Sequence, residues 1–575
     1  MSLTATERRA APRWRAHNRR LPTVVAALTA LYGLLSLISA LLPAERARLD
    51  DLSLIVSEPA SATATAGAAA AGLVLLQVAR GLRRRKRRAW RAAVAVDAAL
   101  IALHLVKGLD IEESTLAVVL LVVLLAGRRE FWAKGDPASR LVAVGVGLSL
   151  LTTGIVSGLL LLVFYRHHLL GHPSLGAQLR QVLFGLVGVS GPLRFHGPRA
   201  ADVVSGTLLG FGLLTALVTM YLVLRAAEPQ AVLSAGDEDR LRELLDRRAH
   251  RDSLGYFALR RDKSVVWSPS GKAAVSYRVV SGVLLASGDP LGDPEAWPGA
   301  IEAFLALAGE HAWTPAVVAC SELGGLAWRR NGLDALELGD EAVVEVADFT
   351  LEGRAMRNVR QMVHRVQRAG YQSEVQWLRD IDPAEIAQLR SAAQAWRRAE
   401  TERGFSMALG RFGDERDGDC VVVTAYQNGQ LRALLNFVPW GDDGLSLDLM
   451  RRDRDGEPGV NEYLITVLLA AGPRLGVSRV SLNFAAFRSA LERGERLGAG
   501  PVSRLVSRLL VFASRWWQIE SLWRFNAKFR PIWEPRFICF PTSRDLPRIA
   551  LAALEAEAFV VRPRPLKWLS RRSSF

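Results

Sequence analysis

Before residue 225 the chain carries six apolar stretches, Leu21–Leu42, Ala60–Val78, Ala89–Val106, Thr115–Ala126, Leu141–Tyr165 and Val203–Leu224. A hydrocarbon core about 30 Å thick takes roughly 20 apolar residues per helix. Most of these stretches are long enough, although Thr115–Ala126 is short and Ala60–Val78 is rich in alanine and threonine. A seventh stretch, Leu179–Val189, is too short to cross and is expected to lie in the interface or to re-enter. No other feature restricts the fold as strongly, because lipid cannot satisfy backbone polar groups and each crossing segment has to be helical.

The intervening loops alternate in charge. The N-terminal tail has six arginines, Arg80–Arg91 carries eight basic residues, and Arg128, Arg129, Lys134 and Arg140 follow the fourth stretch. The loops between are mixed or acidic, with Glu45, Asp50, Asp51 and Glu58 in one and Asp110, Glu112 and Glu113 in the next. Basic loops stay on the cytoplasmic side, so six spans place both the N-terminus and everything after Arg225 inside. The first stretch follows an arginine-rich start with no A-x-A-like cleavage site, and it reads as a retained helix rather than a signal peptide. The run Arg83–Arg88 could hold anionic headgroups, but topology signalling is the preferred reading.

A net charge of +16 suggests a nucleic-acid binder until it is divided. Residues 1–225 hold 26 Lys/Arg against 12 Asp/Glu, and the rest of the chain 47 against 45. The excess is loop charge of the membrane half, so any nucleic-acid contact has to rest on local patches. Cys320, Cys420 and Cys539 show no paired spacing and read as buried free thiols. His167, His168 and His172 are the one histidine cluster, in a loop. Interfacial polarity is preferred over a metal, and no metal is expected.

After Asp237 the chain repeats one order of elements. Strands Lys263–Trp267, Ala273–Val279 and Val283–Ala286 lead through a Gly/Asp/Pro loop to a helix, Pro294–Gly309, and a strand, Ala316–Cys320. Then Val421–Tyr426 and Leu431–Val438, joined by the hairpin signal Asn428-Gly429, precede Leu445–Met450, a polar loop Asp453–Gly459, a helix Asn461–Leu475 and a strand Arg479–Phe484. This predicts two α/β modules with mixed sheets, 226–345 and 346–575, behind a membrane domain, 1–225. Strict alternation in Leu445–Leu449 sends the three leucines to one face and Ser446 and Asp448 to the other. Val480, Leu482 and Phe484 alternate with Ser481 and Asn483 in the next strand. Asp448 and Asn483 are thus expected on a shared polar face, with Arg451 and Arg452 at the strand end.

Between the modules, Met356, Val359, Val363 and Val366 recur at helical spacing, while Arg354, Arg357, Arg360, His364, Arg365 and Arg368 cover the remainder. This is a surface helix with solvated arginines, or a concentrated contact for phosphates. The tail Pro501–Arg536 mixes apolar residues, tryptophan and arginine, which suits an interfacial helix or core packing.

Five ordered motifs are LEGRAMRNVR from Leu351, ERGFSMALGRF from Glu402, LSLDLMRR from Leu445, RVSLNFAAFR from Arg479 and NAKFRPIWEPRF from Asn526. Together they resemble the catalytic half of bacterial aminoacyl-phosphatidylglycerol synthases, the multiple-peptide-resistance-factor family. The likeness is strongest to the transferase region of actinobacterial lysyltransferase and lysyl-tRNA synthetase fusions. It implies tandem acetyltransferase-like (GNAT) modules and transfer of an aminoacyl group, lysyl expected, from aminoacyl-tRNA to phosphatidylglycerol at the cytoplasmic face. Transfer to a peptidoglycan lipid precursor and a non-catalytic lipid-binding scaffold are the rival readings. No cofactor is expected, since RRDRDGEPG makes a poor phosphate nest for acyl-CoA. About six spans are too few for the larger flippase region of full-length members. No synthetase region follows, so a separate aminoacyl-tRNA synthetase is expected to supply the donor.

The resemblance points to Asp448, Arg451 and Asn483 for chemistry. It assigns Glu402, Ser406, Arg452, Lys528 and Arg536 to substrate binding, and the arginines at 354, 357, 360, 365 and 368 to tRNA or phosphate. Exchange of one ester for another needs two substrates oriented, an alcohol deprotonated and an oxyanion stabilised. The absence of a G-x-S-x-G or Cys/His pairing favours direct transfer over a covalent intermediate.

Overall fold

The computed structural model describes residues 21–41, 58–108, 111–134, 137–224, 228–247, 252–397, 404–486 and 519–560. The chain divides into two compact units, one built mainly from Met1–Ala227 and the other from Glu228–Ala308 and Trp313–Arg564.

The first unit is helical: α1 Leu21–Leu41, α2 Glu58–Arg83, α3 Arg87–Gly108, α4 Ile111–Ala126, α5 Pro137–Phe164, α6 Leu175–Leu186 and α7 Pro198–Leu224. Each of the six predicted spans falls on one of the helices α1–α5 and α7, with ends that differ by up to five residues, and the short seventh stretch overlaps α6. Among the described residues three helices are long and apolar enough to cross a membrane, within Leu21–Ser39, Leu141–Phe164 and Arg199–Leu224. The 16 residues of α4 reach only about 24 Å, α2 is diluted by alanine and threonine, and α3 carries Asp97 and His104. Close packing relies on glycine. A side chain at Gly33 or Gly72 would meet the other's backbone oxygen at 2.8 or 2.7 Å, so α1 and α2 cross there in near contact. The basic turn between α2 and α3 is tied to the segment after α4, with Arg87 N–H donating to Ala133 O and Ala133 N–H to Arg85 O. Lys86 Nζ donates to Leu224 O at the end of α7 at 2.5 Å, a cation at a helix C-terminus. Both basic loops and the exit of α7 therefore share one end of the bundle.

The second unit begins with α8 Ala235–Arg247 and is built on one sheet. Its strands are β1 Ser264–Trp267, β2 Ala273–Val280, β3 Val283–Ser287, β4 Leu291–Gly292, β5 Thr314–Cys320, β6 Asp334–Glu345, β7 Tyr371–Trp377, β8 Val421–Gln427, β9 Gln430–Trp440, β10 Gly444–Arg452, β11 Arg479–Ala486 and β12 Ile532–Phe540. Helices α9 Trp297–His311, α10 Glu322–Arg330, α11 Arg357–Arg368, α12 Pro383–Ala395, α13 Val460–Leu475, α14 Ile519–Ala527 and α15 Leu546–Ala556 cover it. The described strands run β1-β2-β3-β5-β12-β6-β11-β10-β9-β8-β7, with β4 beside β2. Two neighbouring pairs are parallel, β3 with β5 and β10 with β11. The order is the doubled α/β pattern expected, a tandem acetyltransferase-like fold. Asn428 and Gly429 take φ of 53° and 76°, the left-handed pair that the β8–β9 hairpin requires.

The modules exchange their last strands. β6, which closes the first module, pairs with β11 of the second, and β12, which closes the second, pairs with β5 of the first. One core lies under α11 and α13, with Val359, Val363 and Val366 packed against Leu445, Leu447, Leu464 and Val480. The opposite face holds a second core, where Leu389 of α12 and Leu409 meet Leu434, Val438 and Leu449.

Candidate active site

β10 and β11 stay paired for only three positions, Gly444↔Arg479, Leu445↔Val480 and Ser446↔Ser481. Just beyond, each is irregular against its other neighbour: β10 against β9 between Leu447 and Leu449, and β11 against β6 between Ser481 and Phe484. Two bulges at one level part the strands into a wedge. The alternation read from the sequence holds only up to this point. Leu445 and Leu447 enter the α11–α13 core, but Leu449 enters the opposite one, because Asp448 is the extra residue of a bulge and shifts the phase.

Asp448 is half-buried and accepts hydrogen bonds from Leu409 N–H at 2.6 Å and Asn436 Nδ2 at 2.8 Å. Asn483 adopts φ 68°, donates Nδ2 to Leu447 O at 2.6 Å and donates its N–H to Ser481 Oγ at 3.2 Å. Asn526 of α14 donates to Leu482 O at 3.1 Å. Asparagine amides thus satisfy carbonyls that the parted ladder cannot reach. The Oδ1 atoms of Asn436, Asn483 and Asn526 are buried without a partner among the described residues.

A cleft of about 260 Å³ is lined by Arg390, Arg397, Gly410, Arg411, Asp414, Leu449 and Arg451, of which Gly410 follows the Asp448 partner Leu409 and Leu449 follows Asp448 itself. Arg411 is a fixed wall: Nε and Nη2 bind Asp417 at 2.8 and 2.9 Å, and Nη1 lies 3.0 Å from Glu238. Arg390 donates to Phe412 O and Gly413 O at 3.3 and 2.6 Å, holding the loop in place. The cleft's one carboxylate, Asp414, is paired with Arg261 at 2.7 Å. Four guanidiniums line this small concave space, of which Arg411 is already paired with two carboxylates. The sequence reading missed Arg390, Arg397, Arg411 and Asn436. Arg390, Ala393 and Gln394 of α12 and Arg397 just past its end recur at helical spacing and could have been found that way.

The other predicted residues are more dispersed. Glu402 lies outside the described residues. Ser406 is 1% exposed, and its N–H and hydroxyl both donate to Glu557 Oε1, at 3.0 and 2.5 Å, while Phe405 N–H donates to Oε2. This corrects its expected place in a substrate pocket, because it anchors the Gly404–Leu409 loop. Arg452 donates to Gly456 O at 3.3 Å and braces the polar loop. Lys528 pairs with Glu462 of α13 at 2.7 Å. Arg354, Arg357, Arg365 and Arg368 are exposed on α11 with Arg365 ion-paired to Glu457, whereas Arg360 turns back to Leu351 O and Gly353 O.

Arg536 is the clearest correction. It is 2% exposed and directs five hydrogen bonds to Glu341, Asp252, Ser253 and Ala319. A guanidinium with every donor spent inside the sheet has none left for a headgroup. Burial disfavours ionised Asp252, but the Arg536 charge outweighs it and holds the carboxyl below its ordinary range. Neighbouring Asp289 is pushed up to about 7 by burial and then by the charge of Asp252.

The acyl-CoA of acetyltransferase folds does not fit this chain. The loop before α13, where its pyrophosphate would rest, lies under α11, and a side chain at Gly459 would stand 2.8 Å from Met362 Cβ. Glu457 N–H is spent on Tyr371 Oη and Val460 N–H on Glu457 O.

Residues 242–540 match the family described as phosphatidylglycerol lysyltransferase, C-terminal, and residues 17–224 match the transmembrane region of lysyl-tRNA synthetase. With three helices of crossing length and apolarity, the second match marks a membrane protein. The lysylphosphatidylglycerol biosynthesis bifunctional protein LysX of Rhodococcus opacus (strain B4) is 42% identical over 503 residues, covering 86% of this chain and 44% of that protein. The protein of the same name from Mycolicibacterium gilvum is 45% identical over 442 residues, 76% of this chain and 40% of its own. The chain therefore spans less than half the length of these curated relatives. The crystal structure of the C-terminal domain of a putative lysylphosphatidylglycerol synthetase from Agrobacterium fabrum aligns at 24% identity and TM-score 0.48, over 57% of this chain and 98% of that one. On the match over residues 242–540, more than half of its length, the chain belongs to the phosphatidylglycerol lysyltransferase C-terminal family.

Proposed function

We propose that the chain moves an aminoacyl group, lysyl the expected one, from aminoacyl-tRNA to the glycerol hydroxyl of phosphatidylglycerol at the cytoplasmic face of the membrane. The observation that carries this reading is the bulge that turns the Asp448 carboxylate out of the alternation, next in sequence to Leu449, which lines the arginine-rich cleft. The cleft takes the lipid phosphate, with Arg397 as its exposed cation and Arg451 in its lining. Asp448 accepts the proton of the attacking hydroxyl or holds the α-ammonium of the donor, and Arg451 faces the charge that develops on the ester oxygen. Asn483, with its amide committed to Leu447 O, keeps the strands parted rather than touching substrate. The arginines on the outer face of α11 receive the tRNA backbone, with Lys528 and Arg452 shaping the second module's end.

In this reading the protein is multi-pass with both ends inside, as the loop charges require. The shared end of the basic loops and the α7 exit supports it. The relatives are named bifunctional; the donor this reading requires is charged tRNA.

The test is mass spectrometry of lipids from a host without aminoacylated phosphatidylglycerol, expressing this chain. Lysyl-phosphatidylglycerol should accumulate, and ribonuclease should abolish transfer in isolated membranes. A modified peptidoglycan precursor would replace the acceptor, ribonuclease-resistant product would replace the donor, and no product from folded protein would leave a lipid-binding scaffold.

A further inference from the structure

The buried stripe of α3 is Ala89, Ala93, Asp97, Leu100 and His104, residues three or four apart and each with no exposed surface. Its neighbours in the packed core of the first unit include Leu75, Leu120 and Leu124. Packing at such a stripe calls for small or branched apolar side chains, yet its central position is a carboxylate. Both oxygens of Asp97 are buried, and among the described residues neither has a hydrogen-bond partner.

The surroundings are polar in a patterned way. The inward face of α1 presents Thr29, Tyr32 and Ser36 at the same three- and four-residue spacing, at 0, 5 and 2% exposure. Tyr32 lies within electrostatic reach of Asp97, and its hydroxyl donates to Glu113 O at 3.4 Å. Two turns further along α3, roughly 10 Å by helical rise, His104 Nδ1 stands 2.7 Å from Glu113 Oε2. Asp97 therefore has the Tyr32 side chain within electrostatic reach and, at a distance, the His104–Glu113 contact. No lysine or arginine approaches it among the described residues.

A bare ionised carboxylate in an apolar helix bundle is far too costly to persist, and one found there is paired or neutralised. We propose that Asp97 is a cation-binding site inside the membrane unit, its ligand a proton or a small monovalent cation. The inference does not depend on the transferase reading, since every residue it uses lies before Ala126. Tyr32 of α1 is the neutral hydroxyl within reach for either ligand, and His104 of α3 meets Glu113 of α4 at a second polar station in the same core.

The test uses the full chain in vesicles. If the ligand is a proton, infrared spectra should show a carboxylic-acid carbonyl stretch that titrates with pH and is missing from Asp97→Asn. If it is a metal cation, sodium or potassium should raise the melting temperature relative to choline, and Asp97→Asn should remove the difference. The proposal is overturned if the infrared spectrum is the same in both proteins and melting ignores the cation. Should Asp97→Asn fail to fold, Asp97→Leu decides. A proton-neutralised carboxyl predicts that leucine is tolerated with unchanged or higher melting; if neither variant folds, wild-type melting in sodium, potassium and choline and the pH dependence of the carboxylic-acid band decide, and no response in either overturns the idea.

Discussion

Replacing Asp448 by asparagine separates chemistry from folding, because the structure says what the fold would lose. The carboxylate's two described bonds come from Leu409 N–H and Asn436 Nδ2. A carboxamide oxygen can keep the first. Its NH₂ would meet the NH₂ of Asn436, but Asn436 has a buried Oδ1 with no partner among the described residues. Turning that amide over restores a donor–acceptor pair. What remains is the change from charge-assisted to neutral bonds, about 1–2 kcal/mol, a shift of only a few degrees in melting for a unit of this size. Losing a proton acceptor or ammonium partner costs about 10²-fold or more in rate. The assay is transfer of labelled lysine from lysyl-tRNA to phosphatidylglycerol vesicles, run beside thermal melting. Asp448→Asn should melt near wild type and turn over at about a hundredth of its rate. Leu447→Asn, whose side chain is buried among Leu445, Leu464 and Val480, should fail by folding instead. Turnover of Asp448→Asn within about threefold of wild type would remove Asp448 from the chemistry, since one acid–base group accounts for far more than that.

Arg536→Met should lower stability by about 3–5 kcal/mol, because it strands Glu341 and Asp252 as buried charges; adding Glu341→Gln and Asp252→Asn should recover most of the loss in thermal melting. Lys263 is fully enclosed, donating to Ser287 Oγ at 2.7 Å and Phe257 O at 3.1 Å. Burial first, then Arg260, pushes its pKa from 10.5 down to about 7. Below about 7 both folded and unfolded chains carry the proton and the full penalty applies. Between about 7 and 10.5 only the unfolded chain does, so stability rises with pH across that window. Melting curves of wild type and Lys263→Met should therefore diverge in favour of wild type as pH climbs from 7 towards 10, and a pH-independent difference would refute the assignment.

The periodic elements were legible because burial on one face writes itself into the sequence. The six helices, the basic amphipathic α11, the Asn428-Gly429 hairpin and the strands flanking α13 all follow from spacing. Strand exchange was not legible: β6 and β12 owe their places to partners about 200 residues away, and β12 even contains Pro535. The site was half legible. Alternation singled out Asp448 and Asn483 on neighbouring strands, yet it gave the wrong face for Leu449, since a bulge leaves no mark in a run such as Leu-Ser-Leu-Asp-Leu. Arg536 misled for a related reason. An arginine beside tryptophan and proline reads as a surface contact, and only the exchanged strand brings Glu341 to it from β6.

The same exchange explains why one module is open and the other closed. Both modules carry a parallel pair that parts at a left-handed residue, Ala319 in β5 and Asn483 in β11. In the first module the space beyond is filled. Asp289 sits so close to Gly324 that a side chain there would come within 2.0 Å of its carboxylate, and Ser321 binds it by N–H and hydroxyl at 2.8 and 2.5 Å. Arg536, delivered by β12 from the other module, locks Asp252 and Glu341 behind it. In the second module the corresponding wedge receives only asparagine amides, and Asp448 stays half-exposed. A closed ion-pair network is poor ground for catalysis because its charges are already satisfied. The second module's wedge lies close in chain to a cleft with four guanidiniums in its lining. The duplicated fold thus uses one module's wedge to hold the sheet together, and the proposed function places the chemistry in the other.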